Sequence, residues 1–284
     1  MSIIVTGATG HLGRLAVESL LKRGVPAEQI VATGRKVDKI DDLAARGVQV
    51  RPIDYDRPET LGPAFEGAGK LLLISGSELG RRIPQHQHAV DAAKAAGVGL
   101  IAYTSAPRAD STPMLLAREH RATEEMIKAA GLPFVLLRND WYLEVYTEQI
   151  ANYLAQGEIV GSAGDGRVSA AARADFAEAA AVVLTGEGHA GKVYELAGDE
   201  AFTQAELAAE LSRQTGRAIA YRDVPLAETK ARLVGFGLPE EVATVIADID
   251  RAVAAGELLV TSGDLSRLIG RPTTRLSRAV ADAL

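Results

Sequence analysis

Three glycines near the start of the chain have the spacing of a phosphate-binding turn. They belong to the segment Thr6-Gly7-Ala8-Thr9-Gly10-His11-Leu12-Gly13, which follows a short β-branched run and opens a helical pattern. In this context glycines permit a tight turn and a close backbone approach to a pyrophosphate, while the free N–H groups of the helix N-terminus attract its negative charge. The segment therefore predicts a dinucleotide-binding loop, with a tight turn that binds no ligand as the alternative. His11 lies within the loop, where it could contact the cofactor or the substrate.

Two basic residues, Arg35 and Lys36, follow the second predicted strand. An acidic residue at that place would bind the ribose 2′-hydroxyl and select NAD. A guanidinium group instead suits a 2′-phosphate, because its fork can make two charge-assisted hydrogen bonds. Arg35 therefore favours NADPH as the cofactor, unless it is simply a solvated surface charge.

Small or polar residues also stand at the ends of four further predicted strands. The carboxyl ends of the strands line the ligand crevice in open parallel sheets. We therefore predict further cofactor contacts at Asp54, Ser75, Gly76, Ser77, Thr104, Ser105, Arg138 and Asn139. Asp54 could accept a hydrogen bond from an adenine amine or cap the following turn, and Gly76 would let the chain pass close to a ribose.

The usual proton donor of short-chain hydride-transferring enzymes is missing, since none of the seven tyrosines has a lysine four positions on. His120 and Glu124 lie one helical turn apart and could form either a proton relay or a surface ion pair. His86 is in step with the apolar Ala89 and Ala93, so we predict a packed histidine there rather than a ligand. The chain has no cysteine and no His-Glu-x-x-His pattern, so we predict no metal site.

These residues require a scaffold in which strands and helices alternate. The predicted strands of the first half are Ile3–Thr6, Ile30–Thr33, Val48–Ile53, Leu71–Ser75, Leu100–Ser105 and Phe134–Arg138. They are nearly continuous apolar runs, as in parallel strands that are buried on both faces. The predicted fold class is α/β, a Rossmann-like doubly wound parallel sheet with a smaller C-terminal α/β lobe.

The pattern changes after Asn139. We predict a turn-rich segment at Gly157–Gly166, strands at Val193–Leu196 and Ile219–Arg222, and a helix after Thr203 with Glu206 in the capping-box spacing. The domain prediction is an NADP-binding Rossmann domain over residues 1–150, with 165–187 packing back on it. A smaller substrate-side lobe is predicted over 188–284.

Composition excludes several classes of protein. The 284 residues are 47% hydrophobic and 24% charged, with a formal net charge of −6, which is ordinary for a globular chain and lacks the basic face of a nucleic-acid binder. No apolar run approaches the ~20 residues of a membrane span. The N-terminal Met1–Gly7 lacks the basic flank of a signal peptide. We therefore expect a cytoplasmic protein that binds neither nucleic acid nor a membrane.

Longer stretches of the chain resemble the NmrA-like atypical short-chain dehydrogenase/reductase family, and in particular its NADPH:quinone reductases. These stretches include Lys70–Ser75, Pro84–His86, Ile101–Ser105, Leu137–Tyr142 and Lys192–Gly198. The resemblance implies a Rossmann domain and a small C-terminal lobe with a quinone in the cleft between them, and NADPH without flavin. It also implies that Gly7–Gly13, Arg35, Ser75–Ser77 and Arg138–Tyr142 face the cofactor. The family also contains redox sensors that bind the dinucleotide without turnover, so a non-catalytic NADP(H) sensor is the alternative function.

Quinone reduction offers a chemical reason for the missing Tyr-Lys pair. Its product is a phenolate, whose conjugate acid resembles Tyr with a pKa of about 10, so little proton donation is needed. We predict Asn139, Trp141 and Tyr142 as the substrate wall, with His11 nearby, and Asn139, Tyr142 and His120 as catalytic candidates. Trp141 could instead be a core residue. Reduction of another enone or carbonyl remains a further alternative, and the sequence leaves self-association open.

Overall fold

The computed structural model describes residues 2–284, and its largest element is a seven-stranded sheet. The strands of the chain are β1 Ser2–Val5, β2 Ile30–Gly34, β3 Gln49–Pro52, β4 Ala68–Leu73, β5 Leu100–Ser105, β6 Phe134–Asn139, β7 Glu158–Gly161, β8 Val193–Leu196 and β9 Ala220–Asp223. The large sheet has the order β3-β2-β1-β4-β5-β6-β8, and the pairs from β3 to β6 are parallel. The predicted doubly wound α/β fold is therefore confirmed.

Thirteen α-helices connect and extend these strands within the described residues. They are α1 His11–Lys22, α2 Asp41–Ala45, α3 Leu61–Phe65, α4 Arg82–Ala95, α5 Ala117–Ala130, α6 Leu143–Thr147, α7 Ile150–Gln156, α8 Arg173–Thr185, α9 Gln204–Thr215, α10 Leu226–Gly235, α11 Glu240–Ala254, α12 Asp264–Ile269 and α13 Leu276–Ala283. Short 3-10 turns cover Ala27–Gln29, Val37–Ile40 and Pro58–Thr60. No helix in this part of the chain is both long and apolar enough to cross a membrane.

The strand order reverses between β1 and β4, and this reversal determines where a ligand can bind. From β1 the chain proceeds to β2 and β3 on one side, then returns to add β4, β5 and β6 on the other. Ligands of open α/β sheets bind outside the carboxyl ends of the strands at such a switch point. The glycine-rich loop directly follows β1, and Ser75 closely follows β4. Both therefore lie at the edge of the sheet where a dinucleotide is expected.

The central strands are apolar because both of their faces are covered. Every residue of β2 and β5 is buried, whereas the edge strand β3 is only partly buried. Our expectation of two buried faces is therefore wrong for β3, since an edge strand has solvent on one side.

The chain divides into two compact units. The first contains the chain up to Ala109, together with Glu119–Asn139 and Arg173–Tyr194. Within it, a buried apolar cluster includes Phe65 and Tyr103, and α8 packs against α1. This unit carries β1 to β6, so it holds the strand order that defines the switch point.

The second unit comprises Asp110–Arg118, Asp140–Ala172 and Glu195–Leu284. It contains a small parallel sheet of β7 and β9. Because β7 falls within the segment predicted as turn-rich, that prediction is wrong for these four residues. The predicted capping box at the start of α9 is confirmed, since Thr203 and Glu206 exchange side chain-to-backbone hydrogen bonds of 3.1 and 2.9 Å. The domain boundaries drawn from the sequence remain a prediction.

Candidate dinucleotide-binding site

A cavity of about 320 Å³ opens at the carboxyl ends of β1 to β4. Its size falls at the lower end of the ~300–1,000 Å³ usual for small-molecule sites. The predicted site residues that line it are Gly7, Thr9, Gly10, His11, Leu12, Gly13, Arg35, Asp54, Ser75, Gly76 and Ser77. It therefore brings together residues from four separate strand ends, all within the first unit.

The glycine-rich loop has the backbone geometry expected of a pyrophosphate cradle. Gly7 has a φ of +60°, and the Gly10 N–H donates to the Gly7 carbonyl at 2.9 Å. Gly10 is also the N-cap of α1 and offers no side chain to the first N–H groups of the helix. Those groups can therefore donate to an anion instead.

The third glycine of the loop, Gly13, is required for packing. A Cβ on Gly13 would lie 2.3 Å from the Gly7 carbonyl oxygen, which leaves no room for any side chain. A Cβ on Gly10 would lie 3.3 Å from the same oxygen, a tight contact that a small adjustment relieves. Gly10 is exposed at the cavity, so a larger side chain there would project into it.

Two predicted cofactor residues of the loop lie beneath it. Thr6 and Ala8 are fully buried and do not line the cavity. The Thr6 hydroxyl donates to the Leu72 carbonyl at 3.1 Å and accepts from the Ile74 N–H at 2.9 Å. Ala8 donates its N–H to the Thr33 carbonyl at 2.8 Å. These bonds join the loop to β4 and β2, so the two residues shape the cradle.

Arg35 lies at the edge of the cavity, immediately after β2. Its guanidinium Nη1 is 2.7 Å from the Glu78 carboxylate, and the Arg35 side chain is 60% exposed. Arg35 therefore lines the cavity beside a charged partner, and both its binding of a 2′-phosphate and the alternative of a solvated surface charge stay predictions.

The segment that follows β4 is held by α4 and β5. Gly76 donates its N–H to Nε2 of His86 at 3.0 Å, and its carbonyl accepts from Nε of Arg82. Ser75 donates its N–H to the Thr104 hydroxyl at 2.9 Å. Thr104 was predicted to contact the cofactor, but it is buried and outside the cavity lining. Its observed contact is with the loop that lines the cavity.

His86 is packed as predicted, with no exposed surface. Its ring lies edge-on to those of Tyr55 and Tyr103. Because Nε2 accepts from Gly76, the proton belongs on Nδ1, which lies 2.9 Å from the Thr123 hydroxyl. Burial, reinforced by the positive charge of Arg82, lowers the pKa of His86 to about 4. The imidazole is therefore neutral near pH 7, which suits its role as an acceptor.

Asp54 adopts one of its two predicted roles in the structure. Its Oδ1 accepts the N–H of Asp56 at 3.1 Å, so it caps the turn that follows β3. Asp54 also lines the cavity, and its contact with an adenine amine remains a prediction.

His120 and Glu124 form neither a surface ion pair nor a pair with each other. Both are buried, at 5% and 1% exposure. Nδ1 of His120 lies 2.8 Å from the Tyr103 hydroxyl, and burial holds the pKa of His120 well below its usual value. Glu124 instead accepts two hydrogen bonds from Arg138, at 2.9 and 2.7 Å, and one from Ser105 at 2.7 Å. The surface-pair interpretation is therefore wrong, since both side chains belong to the interior.

The same contacts define the position of two further predicted cofactor residues. The Arg138 guanidinium forms a buried ion pair with Glu124, and Ser105 bonds to the same carboxylate. Neither residue lines the cavity. Their role toward the cofactor remains a prediction, since the sequence places both at strand ends near the switch point.

The predicted substrate wall begins where β6 ends. Asn139 is 7% exposed, and its Oδ1 is buried without a hydrogen-bond partner among the described residues. Trp141 and Tyr142 are partly buried, so Trp141 is neither a fully buried core residue nor a fully exposed one. Their backbone pairs with Ala171, through the Trp141 carbonyl and an isolated bridge at Tyr142.

Sequence reasoning missed six residues that line the cavity. They are Gly34, Ile53, Tyr55, Ile74, Glu78 and Gln85. Gly34 carried a usable signal, because it is a glycine directly after the second predicted strand. In the structure a Cβ there would lie 2.7 Å from the Thr9 side chain. Glu78 and Gln85 carried none, since an isolated acid in a loop and an isolated amide on a helix are usually solvated. Among the described residues, no group of three or more His, Asp or Glu side chains could hold a metal ion.

The glycine cradle and the strand order define a dinucleotide-binding reductase fold, and comparison with known proteins identifies its family. The NmrA-like family matches residues 1–258. The chain is 49% identical over 279 residues to quinone oxidoreductase 2 of Escherichia coli (strain K12), covering 98% of this chain and 97% of that protein. The chain thus belongs to the NmrA-like family, as the sequence predicts.

Solved structures agree with this assignment. The NADPH-dependent quinone oxidoreductase from Escherichia coli complexed with NADPH has a TM-score of 0.95 at 48% identity, and 99% of each chain is covered. The Citrobacter sp. triphenylmethane reductase complexed with NADP(H) has a TM-score of 0.94 at 43% identity, with 100% of each chain covered. Both comparisons support the Rossmann-like fold over the whole chain.

Proposed function

We propose that the chain is an NADPH-dependent quinone oxidoreductase that reduces a small quinone by two electrons, without flavin or metal. The observation that carries this proposal is the cavity at the switch point, where the glycine cradle and Arg35 meet. The 49% identity to an Escherichia coli quinone oxidoreductase, over nearly the whole of both chains, supports the reaction class. A homologous structure in complex with NADPH supports the cofactor.

The residues of the cavity fit the adenosine and pyrophosphate portion of NADPH. The N–H groups of the Gly7–Gly13 loop would hold the pyrophosphate, because they open a helix and no side chain caps them. Arg35 would hold the 2′-phosphate through charge-assisted hydrogen bonds. Asp54 and the Ser75–Ser77 segment, which line the same cavity, would contact the adenine and ribose groups.

The reacting end of the cofactor is proposed to lie near Asn139, Trp141 and Tyr142. The unpartnered Oδ1 of Asn139 supports this placement, because a buried acceptor without a donor is costly unless a ligand supplies one. Aromatic side chains at 141 and 142 suit a flat apolar ring. When bound, NADPH supplies the hydride, and this chain's residues supply orientation and hydrogen bonds.

Proton donation is proposed to be a minor part of the mechanism. His120 is neutral near pH 7, because burial lowers its pKa, and it already pairs with Tyr103. A phenolate product needs little help from an acid, since its conjugate acid has a pKa of about 10. Orientation of the two reactants can then provide most of the rate enhancement.

The function is tested by following NADPH oxidation in the near ultraviolet with flavin-free protein. The panel should contain benzoquinones, naphthoquinones, an enone, a simple ketone and a triphenylmethane dye, the last because a triphenylmethane reductase is 43% identical to this chain. Turnover that requires a quinone supports the proposal. Tight NADPH binding with no turnover on any acceptor would favour a dinucleotide sensor instead. A cytoplasmic location and self-association remain predictions.

A further inference from the structure

The arginine proposed to hold the 2′-phosphate already has an anionic partner. Nη1 of Arg35 is 2.7 Å from Oε1 of Glu78, and both side chains line the cavity. Glu78 belongs to the loop between β4 and α4, more than forty positions along the chain. A carboxylate thus lies against the guanidinium at the place where a phosphate would have to bind.

Glu78 is fixed in this position by a second contact. Its Oε2 accepts from the side-chain amide of Gln85 at 3.3 Å, and Gln85 is only 4% exposed. The same Gln85 amide donates to Asp56 at 3.1 Å. Asp56 pairs with Arg81 at 2.6 Å, and Arg81, Gln85 and Arg35 together hold the pKa of Asp56 below its usual value. Glu78 therefore contacts Arg35 directly, Asp56 lies close enough to interact with it electrostatically, and Gln85 donates a hydrogen bond to both carboxylates.

We propose that Glu78 is a specificity-determining residue for the adenosine 2′ position. Its carboxylate competes with the 2′-phosphate for Arg35, and so weakens the preference for NADPH over NADH. The inference rests on the proposed role of Arg35 in holding that phosphate. NADH carries a neutral 2′-hydroxyl, which can donate to a carboxylate, so Glu78 opposes only the phosphorylated cofactor.

The expected size of the effect follows from the exposure of the pair. Side-chain exposures of 60% for Arg35 and 39% for Glu78 place the pair among solvated ion pairs. Breaking such a pair costs little free energy, so removing the competing charge should tighten binding by only about two- to fivefold. The change should appear only for ligands with a 2′-phosphate.

The variant Glu78→Gln tests the proposal, since it keeps the shape of the side chain and an acceptor for Gln85. Calorimetric titration would measure four ligands: 2′,5′-ADP, 5′-ADP, NADPH and NADH. We expect about two- to fivefold tighter binding of 2′,5′-ADP and NADPH, which is the effect expected for an exposed ion pair. The binding of 5′-ADP and NADH should be unchanged or weaker. Glu59→Gln is a matched control, because Glu59 forms an exposed pair with Arg57 and does not line the cavity.

A double-mutant cycle separates this inference from the proposed function. In an Arg35→Ala background, Glu78→Gln should no longer change the affinity for 2′,5′-ADP, because the two residues act through one contact. Suppose that Arg35→Ala weakens NADPH binding, but Glu78→Gln does not strengthen NADPH binding or strengthens the binding of all four ligands equally. The inference about Glu78 is then wrong, and the role of Arg35 stands. If Arg35→Ala affects NADPH and NADH alike, the proposed role of Arg35 fails first.

Discussion

Gly76 donates its backbone N–H to Nε2 of His86 at 3.0 Å. The carbonyl of the same glycine accepts from Arg82, one helical turn earlier on α4. Two side chains on one face of α4 thus bond to the backbone N–H and carbonyl of Gly76, a residue that lines the cofactor cavity. Helix α4 therefore sets the shape of the loop, although apart from Gln85 it contributes little to the cavity wall itself.

Replacing His86 should weaken cofactor binding without removing any cofactor contact. His86→Phe retains the ring packing against Tyr55 and Tyr103 but removes the acceptor for Gly76. A net hydrogen bond is worth ~1 kcal/mol, so NADPH affinity should fall by about fivefold. Titration of His189→Phe provides the control, because His189 pairs with Tyr194 instead. Equal affinities for the two variants would contradict a positioning role for His86.

Stability should decrease as the pH falls from 7 to 5. The pKa of His86 is about 4 in the folded chain against 6.5 as the reference value, so the unfolded chain binds a proton in this range that the folded chain does not. Stability is therefore lost below the unfolded pKa, by about 2 kcal/mol from His86 between pH 7 and pH 5. His120 acts in the same direction. Urea titrations of wild type and His86→Phe should show a smaller decrease in the variant, and identical decreases would contradict the assignment.

Two glycines of the cradle should respond differently to substitution. Gly10→Val should abolish NADPH binding while the free energy of unfolding changes little, because its side chain would enter the cavity. Gly13→Ala should destabilise the fold by about 1–3 kcal/mol, since its Cβ would overlap the Gly7 carbonyl. Calorimetric titration and urea unfolding of both variants test this contrast. A Gly10→Val protein that binds NADPH normally would show that the cradle has been assigned wrongly.

The substrate wall makes a separate prediction. Trp141→Ala should raise the quinone KM, with the NADPH affinity and the melting temperature nearly unchanged, because Trp141 is only partly buried. A lowered melting temperature with an unchanged KM would mark a packing residue instead. Tyr142→Phe should retain kcat within about tenfold, whereas a loss of ~10²–10⁴-fold would identify a general acid.

Much of the first unit could be predicted from the sequence, because most of its strands are apolar runs that alternate with helical patterns. β5 lies where it was predicted, residue for residue, and the glycine loop stands at the switch point. β7 was missed because it lies between glycines in a turn-rich segment and pairs with β9, about sixty positions away. So short a strand is defined by its partner rather than by its own pattern.

The candidate site was predictable only where chemistry shows in local sequence. Gly7 to Gly13 and Arg35 carry such signals. Glu78 does not, because only its contact with Arg35 in the folded chain shows that it belongs to the site. For Ser105 and Arg138, the sequence predicts the position in the fold but not the side-chain contacts. Both lie at strand ends as predicted, yet their side chains bond to the buried Glu124, for which the helical spacing allowed a proton relay or a surface ion pair with His120.

Single turnover tests the central claim most directly. Flavin-free protein with one equivalent of bound NADPH would be mixed rapidly with a quinone, while the near-ultraviolet absorbance of the bound cofactor is followed. Our account predicts that this absorbance is lost at least as fast as steady-state turnover, and that Gly10→Val shows no such phase. Bound NADPH that stays reduced with every quinone would contradict the account and indicate a protein that senses the dinucleotide rather than using it.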